Sequence, residues 1–222
     1  MEIKHDIFPS ERIIAYSDAI FAIALTLLVL EIKIPESGPT EKNDLFRSLL
    51  LNWPSYISFL ISFLIISVIW FNHHTMFHYI RYVNHPLMLI NTLLMLNVVV
   101  IPFCATLLGR YAAEGNRNSM IASLVYGSWI TLGGIPFNWL WGYALKHDNL
   151  LAEGIMKKEL FNIKRHFIRG PFLYLQCTLL ALINSWASIC GFTVLIILYF
   201  LPASLWAKKS MHYIDEGVGN RL

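Results

Sequence analysis

Apolar residues in this chain run in long blocks and do not alternate with charge, which is the pattern of helices that cross a bilayer. Six blocks of roughly 18–25 residues, the length a hydrocarbon core demands, predict spans at 13–33, 53–74, 86–108, 118–145, 170–187 and 190–207. Pro102 predicts a kink in the third span, and Gly133, Gly134 and Pro136 a bend in the fourth. A short turn near Ser188 to Gly191 is expected to part the last two. The largest polar insert, KHDNLLAEGIMKKELFNIKRHFIR (146–169), is expected to hold an amphipathic helix lying on the membrane surface. With no internal repeat and no low-complexity tract, residues 1–222 read as a single six-helix transmembrane domain, an all-α integral membrane protein.

Composition strengthens that reading. Of 222 residues, 56% are hydrophobic and 14% charged, where a soluble domain carries about a quarter charged; mean hydropathy is +0.55. A net charge of +3 is too small to argue for a nucleic-acid partner. Its distribution says more. Twelve of the 17 Lys and Arg residues fall on the side of both termini: Lys4, Arg12, Arg81, Lys146, Lys157, Lys158, Lys164, Arg165, Arg169, Lys208, Lys209 and Arg221. Lys33, Lys42, Arg47, Arg110 and Arg117 fall opposite. The positive-inside bias therefore puts both termini in the cytoplasm. Met1 to Asp6 mixes acids and bases and no small-residue cleavage site follows, so the first helix is expected to stay in the mature protein. Cys104, Cys177 and Cys190 lie far apart within apolar segments and read as small hydrophobes.

The first span, RIIAYSDAIFAIALTLLVLEIKIP (12–35), is apolar apart from a polar group at its start. Arg12 and Tyr16 share one helix face, with Ser17 and Asp18 projecting to its sides. Two readings stand: an interfacial Arg with an acid placed by the helix dipole, or a network bonded to neighbouring helices, since an ionised carboxylate in hydrocarbon must find donors. WFNHH in the second span supplies Trp70, Asn72, His73 and His74 at the matching depth, and Asn91 and Asn97 of the third supply further donors. Beyond the cluster, Ile23, Thr26 or Leu27, and Leu30 recur at the spacing of one helix stripe. By itself such a stripe is ordinary packing or lipid contact. Thr26 either bonds back to the Ala22 carbonyl or turns its hydroxyl outward. Ala15, Ala19, Ala22 and Ala24 allow close helix approach.

His73, His74, His78 and His85 raise a metalloenzyme as one rival reading, with His74 and His78 on one face. Membrane metal enzymes need several such boxes, whereas His5, His147, His166 and His212 are scattered singly. A secondary cation transporter is the other rival, and its usual inverted repeat is not found. No cofactor and no metal ligand set is expected. VYG at 125–127 lies inside the fourth span without the loop that a carbonyl filter requires.

R-x-x-x-Y-S-D followed by AIFAIALTLLVLEIKIP resembles the first-helix signature of the transmembrane protein 175 family. Arg12, Ser17, Asp18, Glu31 and Pro35 match it, and Tyr16 stands where the family usually has Phe. W-x-N-H-H at the end of the second span and IPF around Pro102 are similar to the family as well. The resemblance implies a potassium-selective leak channel, not an enzyme, with four six-helix units around an axis lined by first helices. It therefore implies a homotetramer in the bilayer, multi-pass in a cell inner membrane, with potassium ions as its partner. On that footing Ile23, Leu27 and Leu30 become apolar constriction rings, with Thr26 the polar oxygens among them. From the polar cluster itself, Arg12, Ser17, Asp18, Trp70, His73, His74 and Asn97 are expected to form a structural network.

Overall fold

The structure is a computed structural model that describes residues 7–32, 45–152 and 157–200. Pro35, residues 201–207 of the expected sixth span, and Lys4, Lys33, Lys42, Lys208, Lys209 and Arg221 lie outside the described residues. The architecture is all-helical but for one pairing of two-residue strands. In chain order the elements are β1 (Phe8–Pro9), α1 (Glu11–Leu30), α2 (Leu45–Leu51), α3 (Trp53–Tyr79), β2 (Tyr82–Val83), α4 (His85–Tyr111), α5 (Arg117–Lys146), α6 (Lys157–Leu180) and α7 (Ser185–Phe200). Among the described residues four helices are long and apolar enough to cross a membrane: α1, α3, α4 with its 3₁₀ extension to Glu114, and α5.

Local chemistry sets the helix starts. Asn84 caps α4 by accepting from the Leu87 N–H at 3.1 Å, and Asn116 caps α5 by accepting from Asn118 at 2.8 Å. Pro54 and Pro86 occupy first-turn positions, where a missing N–H costs nothing. Pro102 and Pro136, expected to kink or bend their spans, lie inside uninterrupted α4 and α5.

Two expectations for the last third need correction. The turn between the last helices falls at 181–184, ahead of the expected Ser188 to Gly191. Asn184 decides it, because its side chain accepts from the Trp186 N–H at 2.8 Å and starts α7 there. Gly191 is needed within the helix, where it faces the Cys177 side chain of α6. Residues 157–169 also form no separate surface helix; they are the first half of α6. Leu160 and Phe167, one heptad apart, bury the apolar side while Arg165 and Arg169 stay exposed.

A feature with no sequence signature joins one end of the bundle. β1 and β2 pair antiparallel, Phe8 with Val83 and Pro9 with Tyr82. Ser10 N–H donates to the Arg81 carbonyl at 3.1 Å, Arg81 N–H to Leu150 at 2.9 Å, and Ala152 N–H to Tyr79 at 2.9 Å. The α3–α4 connection is thus gripped on one edge by the entry to α1 and on the other by the exit from α5.

Helix α1 packs against both α3 and α4. Ile13, Ser17, Phe21, Ala24 and Leu28 form the buried stripe, at spacings of four, four, three and four. Phe21, Ala24 and Leu28 join a core with Ile61, Ile65, Leu94, Val98 and Ile101, to which α5 adds Tyr126 and α7 adds Phe192.

Candidate functional site: a pinned first helix with an open stripe

A chain of hydrogen bonds fixes the buried side of α1. Ser17 Oγ donates to the Ile13 carbonyl one turn earlier, at 2.8 Å. Its proton is then committed, so Oγ accepts from Asn91 Nδ2 at 2.9 Å. The amide oxygen of Asn91 consequently turns to His73, 2.9 Å from Nε2. That fixes His73 with its proton on Nε2, because Asn91 Oδ1 has none to give. Ser17 and Asn91 are fully buried and His73 is 1% exposed. Phe21 and Phe77 flank the imidazole, with ring centroids at 5.4 and 4.6 Å. Beside this chain Trp70 Nε1 donates to Asp18 Oδ1 at 2.8 Å, and the Trp70 indole lies against the His74 ring at 5.8 Å. At the other end of α1, Thr106 Oγ1 of α4 donates to Glu31 Oε2. Three helices are joined at one end of α1 and two at the other.

The expected network residues separate in this geometry. Ser17 and His73 meet through Asn91, and Asp18 meets Trp70. Arg12 does not join them. Its side chain is exposed, with no ion pair to Asp18 among the described residues, and it borders an open cleft with Phe8, Pro9, Tyr16, Met88 and Thr92. His74 is exposed and shares only the ring contact with Trp70. Asn97 faces away: its Nδ2 donates to the Trp129 carbonyl at 3.1 Å, and Trp129 Nε1 returns a bond to the Asn97 carbonyl at 3.0 Å, tying α4 to α5. The spacing of Asn91 and Asn97 held the signal. Six residues turn a helix by about 240°, so one neighbour cannot receive both side chains.

The opposite side of α1 is exposed among the described residues. Ile23 is 57% exposed, Leu27 39% and Leu30 67%, forming one stripe with exposed Tyr16, Ala19 and Thr26. Thr26 Oγ1 donates to the Ile23 carbonyl at 2.8 Å, three residues back, a backbone bond as in one of the two readings but to Ile23 in place of Ala22. The bond uses the hydroxyl proton and leaves its lone pairs facing outward.

Val125 to Gly127 lie within α5. Tyr126 is fully buried and its hydroxyl meets Ser62 Oγ of α3 at 2.9 Å. The Gly127 carbonyl accepts from Thr131 Oγ1 at 2.8 Å. Among the described residues no three His, Cys, Asp or Glu side chains converge as a metal site would need.

An all-helical chain with four membrane-length spans, the first locked on one side and bare on the other, is an integral membrane protein. Residues 12–102 match the family model described as endosomal/lysosomal potassium channel TMEM175. A potassium channel of Chamaesiphon minutus is 40% identical over 189 residues, covering 85% of this chain and 92% of the relative. A potassium channel of Streptomyces collinus is 31% identical over 191 residues, covering 86% and 91%. The crystal structure of a lysosomal potassium-selective channel TMEM175 homologue from Chamaesiphon minutus has a TM-score of 0.76 to this fold at 36% identity, over 90% of this chain and 98% of that one. The chain belongs to the TMEM175 family.

Proposed function

We propose that this protein is a potassium channel whose pore is lined by the first helices of four copies. It crosses the membrane six times as one domain, keeps both termini in the cytoplasm, and resides in a bacterial inner membrane. The observation that carries the pore assignment is the asymmetry of α1. One stripe is held by Ser17, Asp18 and Glu31 against α3 and α4, while Ile23, Leu27 and Leu30 project away from their own chain. Relatives named as potassium channels support the ion and the transport class.

In this reading Ile23, Leu27 and Leu30 form stacked apolar rings, a constriction narrow enough to exclude water. An ion crossing them sheds part of its hydration with little in return. Potassium loses its shell more readily than sodium because its charge is spread over a larger radius, so such a ring favours potassium without a carbonyl cage. The outward lone pairs of Thr26 ease the crossing. Ser17, Asp18, Trp70, His73 and Asn97 act as structural residues, not as ion ligands, while Arg12 and His74 stand outside their hydrogen bonds.

The test is potassium flux from liposomes holding the purified protein, with sodium and protein-free controls. Potassium efflux that exceeds sodium efflux and rises without saturation is expected. Flux no higher than in protein-free liposomes would overturn the reading, and flux that saturates with concentration would make the protein a transporter.

A further inference from the structure

On the side of α3 and α4 away from α1 lies a half-open cavity of about 70 Å³, bordered by α3, α4, α5, α6 and α7. Its walls are mostly apolar, with Ile65, Val68, Leu94, Ile130, Phe137 and Phe167 among them. Among the described residues no charged side chain and no histidine lines it. Four described polar side chains do: Asn72, Asn97, Tyr174 and Tyr199. Asn72 is half-buried, and its amide makes no hydrogen bond among the described residues. The Tyr174 hydroxyl makes none either, its ring being stacked between Phe192 and Tyr199. Asn97 spends Nδ2 on the Trp129 carbonyl but keeps Oδ1 as an acceptor against Gly133, where only a glycine leaves room for it.

A polar group without a partner inside hydrocarbon costs several kcal/mol, so two or three sharing one cavity call for a polar occupant. The occupant is neutral in this reading, because no described lining residue balances a charge. It must offer a donor to Asn97 Oδ1 and accept from Asn72 or Tyr174, as a hydroxyl does. The rest must be apolar to match the walls. Volume limits its size: a water needs roughly 10–15 Å³ by this measure and a 150 Å³ cavity takes benzene, which leaves room for about three or four carbons. We propose that this cavity is a binding site for a short-chain neutral alcohol, separate from the exposed stripe of α1.

The experiment uses the full chain in lipid nanodiscs and a diazirine analogue of 1-butanol as the photolabel, with adducts located by mass spectrometry. Adducts should concentrate on cavity residues such as Asn72, Ile130 and Tyr174. 1-Butanol should compete for them about fivefold better than its isomer 1-methoxypropane, the factor carried by one donated hydrogen bond of about 1 kcal/mol. Val68→Phe, which fills the space, should abolish the cavity adducts and leave lipid-facing ones unchanged. Labelling confined to lipid-facing residues such as Phe71 and Ile197 would overturn the proposal. So would equal competition by the ether, which lacks the donor.

Discussion

Replacing Asn91 with leucine keeps the branching and heavy-atom count of the side chain, in a bulkier form, but removes the amide that links α1 to α3. His73 Nε2–H, 1% exposed, is then left without its acceptor. A buried donor stranded in this way costs about 1–3 kcal/mol. Ser17 suffers less, because its own proton still goes to Ile13 and only its role as acceptor is lost. Interhelical bonds in membranes average about 0.6 kcal/mol, so the sum for Asn91→Leu is about 2–3 kcal/mol per chain. His73→Phe alone leaves only an oxygen unfilled and should cost about 1 kcal/mol, as carbonyl oxygens tolerate this better than donors. Combining the two puts Phe and Leu together, beside Phe21 and Phe77, with no polar group stranded. The double variant should therefore lie nearer the parent than Asn91→Leu does, with a coupling of about 1–2 kcal/mol. Equilibrium unfolding in mixed SDS micelles, followed by tryptophan fluorescence, measures all four corners of the cycle. Additive losses within error, or an Asn91→Leu protein as stable as the parent, would refute the bond order deduced for Ser17, Asn91 and His73.

Leu27→Asn should wet the constriction, raise the flux of both ions and narrow their difference, and Thr26→Val should lower the potassium preference; bi-ionic currents decide, with unchanged values in assembled Leu27→Asn excluding that side chain from the path. Tyr126→Phe should cost about 0.5–1.5 kcal/mol through the lost Ser62 bond and leave selectivity alone, so a loss of potassium preference in a well-folded variant would contradict the α1 pore. Gly127→Ala drives a methyl into Thr178 and Phe192 and should destabilise by about 1–3 kcal/mol, read as a fall in the melting temperature of the assembled protein.

Legibility in the sequence followed the range of the physical signal. Helices α1, α3, α4 and α5 were visible because each is a long apolar block whose length is set by the bilayer and not by a partner. The α6–α7 turn was misplaced because Ser188 and Gly191 look like breakers, whereas in the structure they are the small residues of a packed helix face and Asn184 does the capping. At the site, Ser17, Trp70 and His73 stood out as polar residues in apolar surroundings. Which asparagine meets Ser17 depends on the rotation of α4 about its axis, and that is set by packing with α5 through Trp129, far away in sequence. The attachment of β1 to β2 was invisible, since two residues are too few to show a period.

That same attachment bears on biogenesis. The strip between α3 and α4 needs residues 8–10 for one edge and 150–152 for the other. Helix α1 leaves the ribosome first and its entry pairs with residues 81–83, yet the other edge of that strip cannot be gripped until α5 has been made. Contacts of such sequence separation form late. A ribosome stalled before residue 150 would thus leave the first helix paired to a strip gripped on one edge only. Closure of both edges of the strip becomes a report that the first five helices have been synthesised and have met.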